Sequence, residues 1–174
     1  SFEDWIDDDG IDRGSPIRLK CTVSKKGDGL LVDWSGTALQ VKGAINCTLS
    51  FTKAVSYAAI RSVLGDEIPC NEGLFRTIEV TAPEGCIANM TPPAACAARG
   101  LTGFRMGDCL FGALAMMLPD RVFAASDGGN TCVSIGGYTA ERKPFIFVDF
   151  TCGSWGGRPW ADGVQGNSNM FANM

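Results

Sequence analysis

The chain has 174 residues, 45% of them apolar and 20% charged, with a formal net charge of −4; that is ordinary globular composition, long enough for one sizeable core. It holds no basic run and no basic–aromatic stripe, which excludes nucleic-acid binding, because affinity for phosphate needs clustered Lys and Arg. It also holds no histidine, which excludes a Ser-His-Asp or Cys-His nucleophile pair and any His-ligated metal site built from this chain alone.

Residues 17–23 alternate apolar and polar, as a half-buried strand does. The turn-forming run Ser24 to Gly29 follows, and Leu30 to Trp34 reads as the returning strand of a hairpin. Residues 49–64 change to helical spacing, with Leu49, Tyr57, Ile60 and Leu64 near one face and Gly65 as the stop. Asp66 to Phe75, with Pro69, Asn71 and Gly73, reads as a loop. A short strand is expected at Arg76 to Thr81, and irregular chain from Pro83 to Pro93. A second helix is expected over Leu101 to Leu118, with Phe104, Phe111, Leu114 and Leu118 on one face and Pro119 ending it. Residues 131–138 and 144–151 read as two strands joined by the polar segment Thr139 to Lys143. From Gly153 the chain is a Gly/Trp/Asn-rich loop whose Trp155 and Trp160 are too large to stay wholly exposed. The sum is an α+β fold of mixed, mostly antiparallel strands with at least two helices. No repeat or linker divides it, so residues 1–174 form a single domain or part of a larger one.

The apolar stretch from Cys109 to Leu118 is about half of the ~20 residues a membrane-spanning helix needs, so no membrane partner is expected. The acidic opening Ser1 to Trp5 has no apolar run behind it and is not read as a signal peptide. Eight cysteines lie 10 to 26 residues apart with no C-x-x-C pair. That spacing favours neither a zinc ribbon nor a thioredoxin-like site. They are expected to be reduced, structural thiols, with Cys47 and Cys109 in apolar settings, which points to the cytoplasm.

Several segments, in order, resemble the hydantoinase B/oxoprolinase family. Phe2-Glu3-Asp4 with Asp7-Asp8-Asp9-Gly10 is similar to that family's F-E-D…D-D-D-G stretch. Leu31 to Thr37 (L-V-D-W-S-G-T), then Gln40 and Gly43 to Asn46, resembles its V-D-F-[ST]-G-T…Q…G-x-x-N run, with Trp34 in place of the more usual Phe. Pro69-Cys70-Asn71-Glu72-Gly73 resembles its P-x-N-x-G loop. Ile78 to Gly85, Asn89 and Pro92 to Ala95 resemble V-x-A-P-x-G…N…P-A-A. Arg105 and Asp108 match its R-x-x-D, and Gly156-Gly157-Arg158, Asp162-Gly163 and Gly166-Asn167 its Gly-rich tail. The resemblance implies an internal piece of a longer subunit of an ATP-dependent cyclic-amide hydrolase opening hydantoin, 5-oxoproline or lactam rings. A ketone carboxylase subunit using ATP and bicarbonate is the alternative, and a non-catalytic structural or assembly module the third. It also implies ATP on a hydantoinase A-like partner subunit and a divalent metal held elsewhere in the full subunit, in a His- and Asp-containing stretch preceding the region matched here. This piece is expected to bind neither, and to meet the rest of the hydantoinase B-like chain, the partner and a small-molecule substrate.

No complete catalytic constellation stands in these residues, so the catalytic residues are left open. Five side chains are candidates for substrate contact. Asp33, at a strand end, either faces substrate or metal, or accepts from the turn amides after it. Asn46 and Asn71, in loops flanking the first helix, carry amides suited to pairing with a cyclic amide, or else serve as local caps. Arg105 and Asp108, three residues apart on the second helix, either orient a carboxylate-bearing substrate or a subunit interface, or form a structural ion pair. Asp127-Gly128-Gly129-Asn130 and the stretch Gly153 to Gly166 either cradle an anion through backbone amides or are plain turns; neither is a P-loop.

Overall fold

The computed structural model describes residues 1–129, 131–150, 153–167, 169 and 171. Its core is a four-stranded sheet built from β1 (Phe2–Ile6), β2 (Ile17–Lys26), β3 (Gly29–Asp33) and β4 (Ile78–Thr81), in that spatial order. The first two neighbouring pairs are antiparallel; β4 joins β3 in parallel. A parallel neighbour cannot follow by a tight turn. The crossover between β3 and β4 carries helix α1 (Leu49–Ser62) and the single-turn helix α2 (Glu72–Phe75). Helix α3 (Arg99–Ala115) then packs on β1, β2 and α1.

One face of the sheet is apolar because its strands alternate. Ile17, Leu19 and Cys21 of β2 are buried, as are Val32 of β3 and Ile78 and Val80 of β4. Register places Phe2, Asp4 and Ile6 of β1 opposite Cys21, Leu19 and Ile17, so these three face the helices too. The other face carries Glu3, which pairs with Arg18 and Lys20, and at its far edge Asp33 opposite Thr81. Trp34 is fully buried just past β3, its indole N–H 3.4 Å from the Ser56 hydroxyl of α1.

Close packing of α3 depends on glycine. A Cβ at Gly103 would stand 2.7 Å from the Phe51 ring of α1, and one at Gly107 would overlap the Phe171 ring. Phe171 stacks on Phe111, whose ring also lies 4.9 Å from that of Phe123. Burial pushes the Cys47 and Cys109 thiols up to about 12, and that of Cys21 up as well. These are packed, unreactive sulfurs, as their apolar surroundings suggested.

The expected α+β class holds, with three helices among the described residues and mostly antiparallel pairing. Several boundaries differ. The first hairpin turns on Gly27 and Asp28 alone, with Gly27 at φ 58°, so β2 runs three residues further than Val23. The region Asp66 to Phe75 is not all loop: Asn71 caps α2, its side chain accepting from the Gly73 and Leu74 amides. Helix α3 starts at Arg99 and stops at Ala115, short of Pro119. Its end tightens as the Met117 amide bonds the Leu114 carbonyl, and Leu118, placed just before proline, is disfavoured in α conformation.

The segment after α3 returns along its flank. Strands β5 (Cys132–Tyr138) and β6 (Pro144–Phe150) form the expected hairpin; Thr151 lies outside the described residues. The tail is not only loop, because β7 (Gly153–Ser154) pairs with β8 (Gln165–Asn167). Trp155 stacks on Phe123 at 6.3 Å. Trp160 is 68% exposed. No helix is long and apolar enough to cross a membrane among the described residues.

Candidate functional site

One polar cluster that borders a cavity is built on α3. Arg105 and Asp108 lie on its inner side, and Asp4 reaches them from β1 because two-residue alternation points it at the helix. The Arg105 guanidinium donates to the Asp4 carboxylate and stands 3.6 Å from that of Asp108. Asp108 is buried and accepts from the Ser126 amide at 3.2 Å and its hydroxyl at 2.9 Å. The Ser126 oxygen in turn accepts from the Gly128 amide and from the side chain of Asn169, itself buried.

Burial pushes the Asp108 carboxyl above the ordinary carboxylate range, against the lowering effect of the two Ser126 bonds and of Arg105. Two carboxylates share one guanidinium here, so the cluster is net negative and does not suit an anionic group. Beside it opens a cavity of about 230 Å³, walled by Phe2, Phe111 and Phe123, with Arg105, Asp108 and Asp4 at its polar end. Arg105 carries five N–H donors and meets two carboxylates, which leaves donors to offer a neutral oxygen.

Of the five sequence candidates, the structure brings only Arg105 and Asp108 together. Asp33 lies on the opposite face of the sheet. It accepts from the Ser35 amide and hydroxyl and the Thr81 hydroxyl, forming the Asx-type turn expected as its second reading. Its partial burial works upward on the carboxyl, but these bonds prevail and hold it below its ordinary value.

Asn46 is fully buried. Its Oδ1 accepts from the Val41 amide, and its Nδ2 donates to the carbonyls of Val41, Gly43 and Ala95. The amide ties the loop before α1 to the loop before α3 and does not cap α1; Thr48 does, accepting from the Phe51 amide. Asn71 is exposed and caps α2, near the end of the sheet remote from Asp33. The stretch Asp127 to Gly129 is pinned by its backbone, the Asp127 amide bonding the Ser154 carbonyl; Asn130 lies outside the described residues.

Sequence patterning alone does not single out Asp4, Ser126 or Asn169 as site residues. Asp4 does carry a signal, because Phe2, Asp4 and Ile6 alternate with Glu3 and Trp5; Ser126 and Asn169 sit in irregular chain and carry none. Among the described residues no group of three or more His, Cys, Asp or Glu side chains is placed to hold a metal ion. Asp4 and Asp108 are already engaged by Arg105 and Ser126. The donor set therefore does not fit a metal.

Comparison with known proteins gives the context. A provisionally named B-type subunit of a D-/L-hydantoinase from Pseudomonas sp. (strain NS671) is 35% identical over 164 residues, covering 90% of this chain and 27% of that protein. The ATP-dependent caprolactamase of Pseudomonas jessenii superposes with a TM-score of 0.72 at 21% identity, over 95% of this chain and 29% of its own. Nucleotide-free acetone carboxylase, from work on ATP-dependent acetone carboxylation, superposes at 0.76 with 13% identity, over 93% and 22%. At those identities the two structures speak for the fold alone. The chain thus spans about a quarter of the length of these three proteins. The sequence profile of hydantoinase B/oxoprolinase covers residues 1–174 from end to end, so the chain belongs to the hydantoinase B/oxoprolinase family.

Proposed function

We propose that this chain is part of a subunit of an ATP-dependent cyclic-amide hydrolase, and that the cavity beside Arg105 and Asp108 receives the ring. The observation that carries the reading is the whole-chain family match, supported by 35% identity to a protein named as a hydantoinase subunit. The cavity adds shape: aromatic walls for the apolar edge of a ring and a polar end for its amide. Arg105 donates to the ring carbonyl, and Asp108, whose carboxyl burial pushes up, stands beside it and holds the guanidinium in place. ATP, on a hydantoinase A-like partner subunit, supplies the driving force, and the divalent metal belongs to the remainder of the subunit.

Asp33, Asn46 and Asn71 serve architecture in this reading, since each is engaged by the chain around it. The test is ATP hydrolysis by the complete complex with 5-oxoproline, hydantoins, lactams and ketones, each with and without bicarbonate. Turnover of a cyclic amide without bicarbonate is the expected result; turnover confined to a ketone with bicarbonate would replace hydrolysis by carboxylation. Arg105→Lys should lower kcat/KM about tenfold or more, because a charge-assisted bond is worth about 1.5–3 kcal/mol. An unchanged kcat/KM would remove Arg105 from the site.

A further inference from the structure

Strands β5 and β6 are largely apolar on both faces, with Asp149, opposite Val133 near one end, the one charged residue in either strand. Their register sets Ile135 opposite Phe147 and Gly137 opposite Phe145 on one face; Ser134 opposite Val148 and Gly136 opposite Ile146 form the other. A hairpin with one wet face alternates apolar and polar residues, whereas a strand covered on both sides is apolar throughout. Here the composition is that of a covered strand and the surroundings are those of a free one. Ile146 is 79% exposed, and Ile135 and Phe147 are each 52% exposed.

The edges are equally open. Among the described residues β5 and β6 pair only with each other. The Thr139 amide donates to the Lys143 carbonyl at 2.9 Å, which sets the alternation of the ladder. Gly137–Phe145 and Ile135–Phe147 are then mutually bonded pairs. The N–H and C=O groups of Ser134 and Gly136 point out along one edge, and those of Ile146 and Val148 along the other. Neither strand carries a lysine or a mid-strand proline to discourage pairing.

We propose that this hairpin is the inner pair of a larger sheet, completed by polypeptide of the same subunit outside these 174 residues. That polypeptide adds a strand at each edge and an apolar layer on each face. A second copy of the chain does not meet the need. A twofold contact joins one patch to its own equivalent and covers a single face or a single edge, leaving the rest bare. The relatives supply the material: the matched region is 27% of the hydantoinase-named protein and 29% of the caprolactamase chain. The inference rests on family membership and is independent of the reaction proposed above.

The test is residue-resolved hydrogen exchange on the full-length subunit, with the amides of Ser134, Gly136, Ile146 and Val148 as reporters. The expected result is exchange at least about a hundredfold slower than in unstructured chain, comparable to Ile135 and Phe147, since protection follows engagement of the amide. The protection should not change on dilution. Free exchange at the four reporters with protection confined to Ile135 and Phe147 would show a bare hairpin and overturn the proposal. Protection that is lost on dilution would assign the cover to a second copy and overturn it equally. As a second measure, Val148→Lys in the full-length subunit should abolish protection on both edges; unaltered protection would contradict a covered face.

Discussion

Asn46 shows how an amide in a family-like motif can be wholly absorbed by the fold. Its side chain makes four hydrogen bonds at a site closed to water. Asn46→Ala strands the Val41 and Gly43 carbonyls and the Val41 amide, while the Ala95 carbonyl keeps the backbone amide of residue 46; it should destabilise the chain by about 3 kcal/mol or more in urea unfolding, given ~1–3 kcal/mol for each buried group left unpaired. A loss below the cost of one such bond would mean water replaces the amide. Asp33 and Asp108 act oppositely with pH. Asp33 is held below its unfolded value, so its contribution is present above that value and lost as pH falls through the depressed pKa. Asp108 is held above it, so its contribution is full at acid pH and lost as pH rises through the raised pKa. Asp33→Asn should therefore flatten the acid limb of the stability–pH curve, measured by denaturation midpoints from acid to neutral pH. A steeper acid limb would reverse the assignment.

Helices were legible because their periodicity is intrinsic to the chain, and their ends were not. Thr48 lies one residue before α1 and caps it; Thr48→Ala should cost about 1 kcal/mol. Nothing in Asp66 to Phe75 distinguishes a single helical turn from loop, because four residues hold no periodicity, and only the cap at Asn71 betrays it. Strand β1 is hidden for a different reason: Glu3 and Asp4 break the apolar pattern, although alternation turns Asp4 inward, where Arg105 pairs with it. In α3 the glycines are spatial requirements. Gly107→Val should displace the Phe171 ring from Phe111 and lower stability by about 2 kcal/mol, as overpacking does. Thermal unfolding with ring-proton shifts of Phe111 would check both effects, and unperturbed shifts would deny the contact.

At the scale of the molecule, the sequence pointed to the fold class and the family but not to which candidates would meet. Asp33 and Asp108 are separated by the thickness of a sheet, and that separation depends on which face each strand turns inward. Asn46 and Asn71 look alike in sequence, yet one is sealed and the other exposed. The exposed hairpin makes a measurable difference to the isolated 174 residues. They should bind a hydrophobic dye and associate at moderate concentration, because contiguous bare apolar surface does so. Ile146→Lys with Val148→Glu should suppress both; if dye binding persists unchanged, the surface lies elsewhere, for instance in the grooves along α1.

The bond between Arg105 and Asp4 joins residues 101 positions apart. During synthesis β1 leaves the ribosome long before α3 exists, and at about 5–20 residues per second the wait is roughly 5–20 s. Over that interval the β1–β2–β3 meander presents Leu19, Cys21 and Val32 with no helix to cover them. The nascent chain is thus most vulnerable to mispairing in its first half, and it is there that a chaperone holding the sheet until α3 arrives would have the greatest effect on yield.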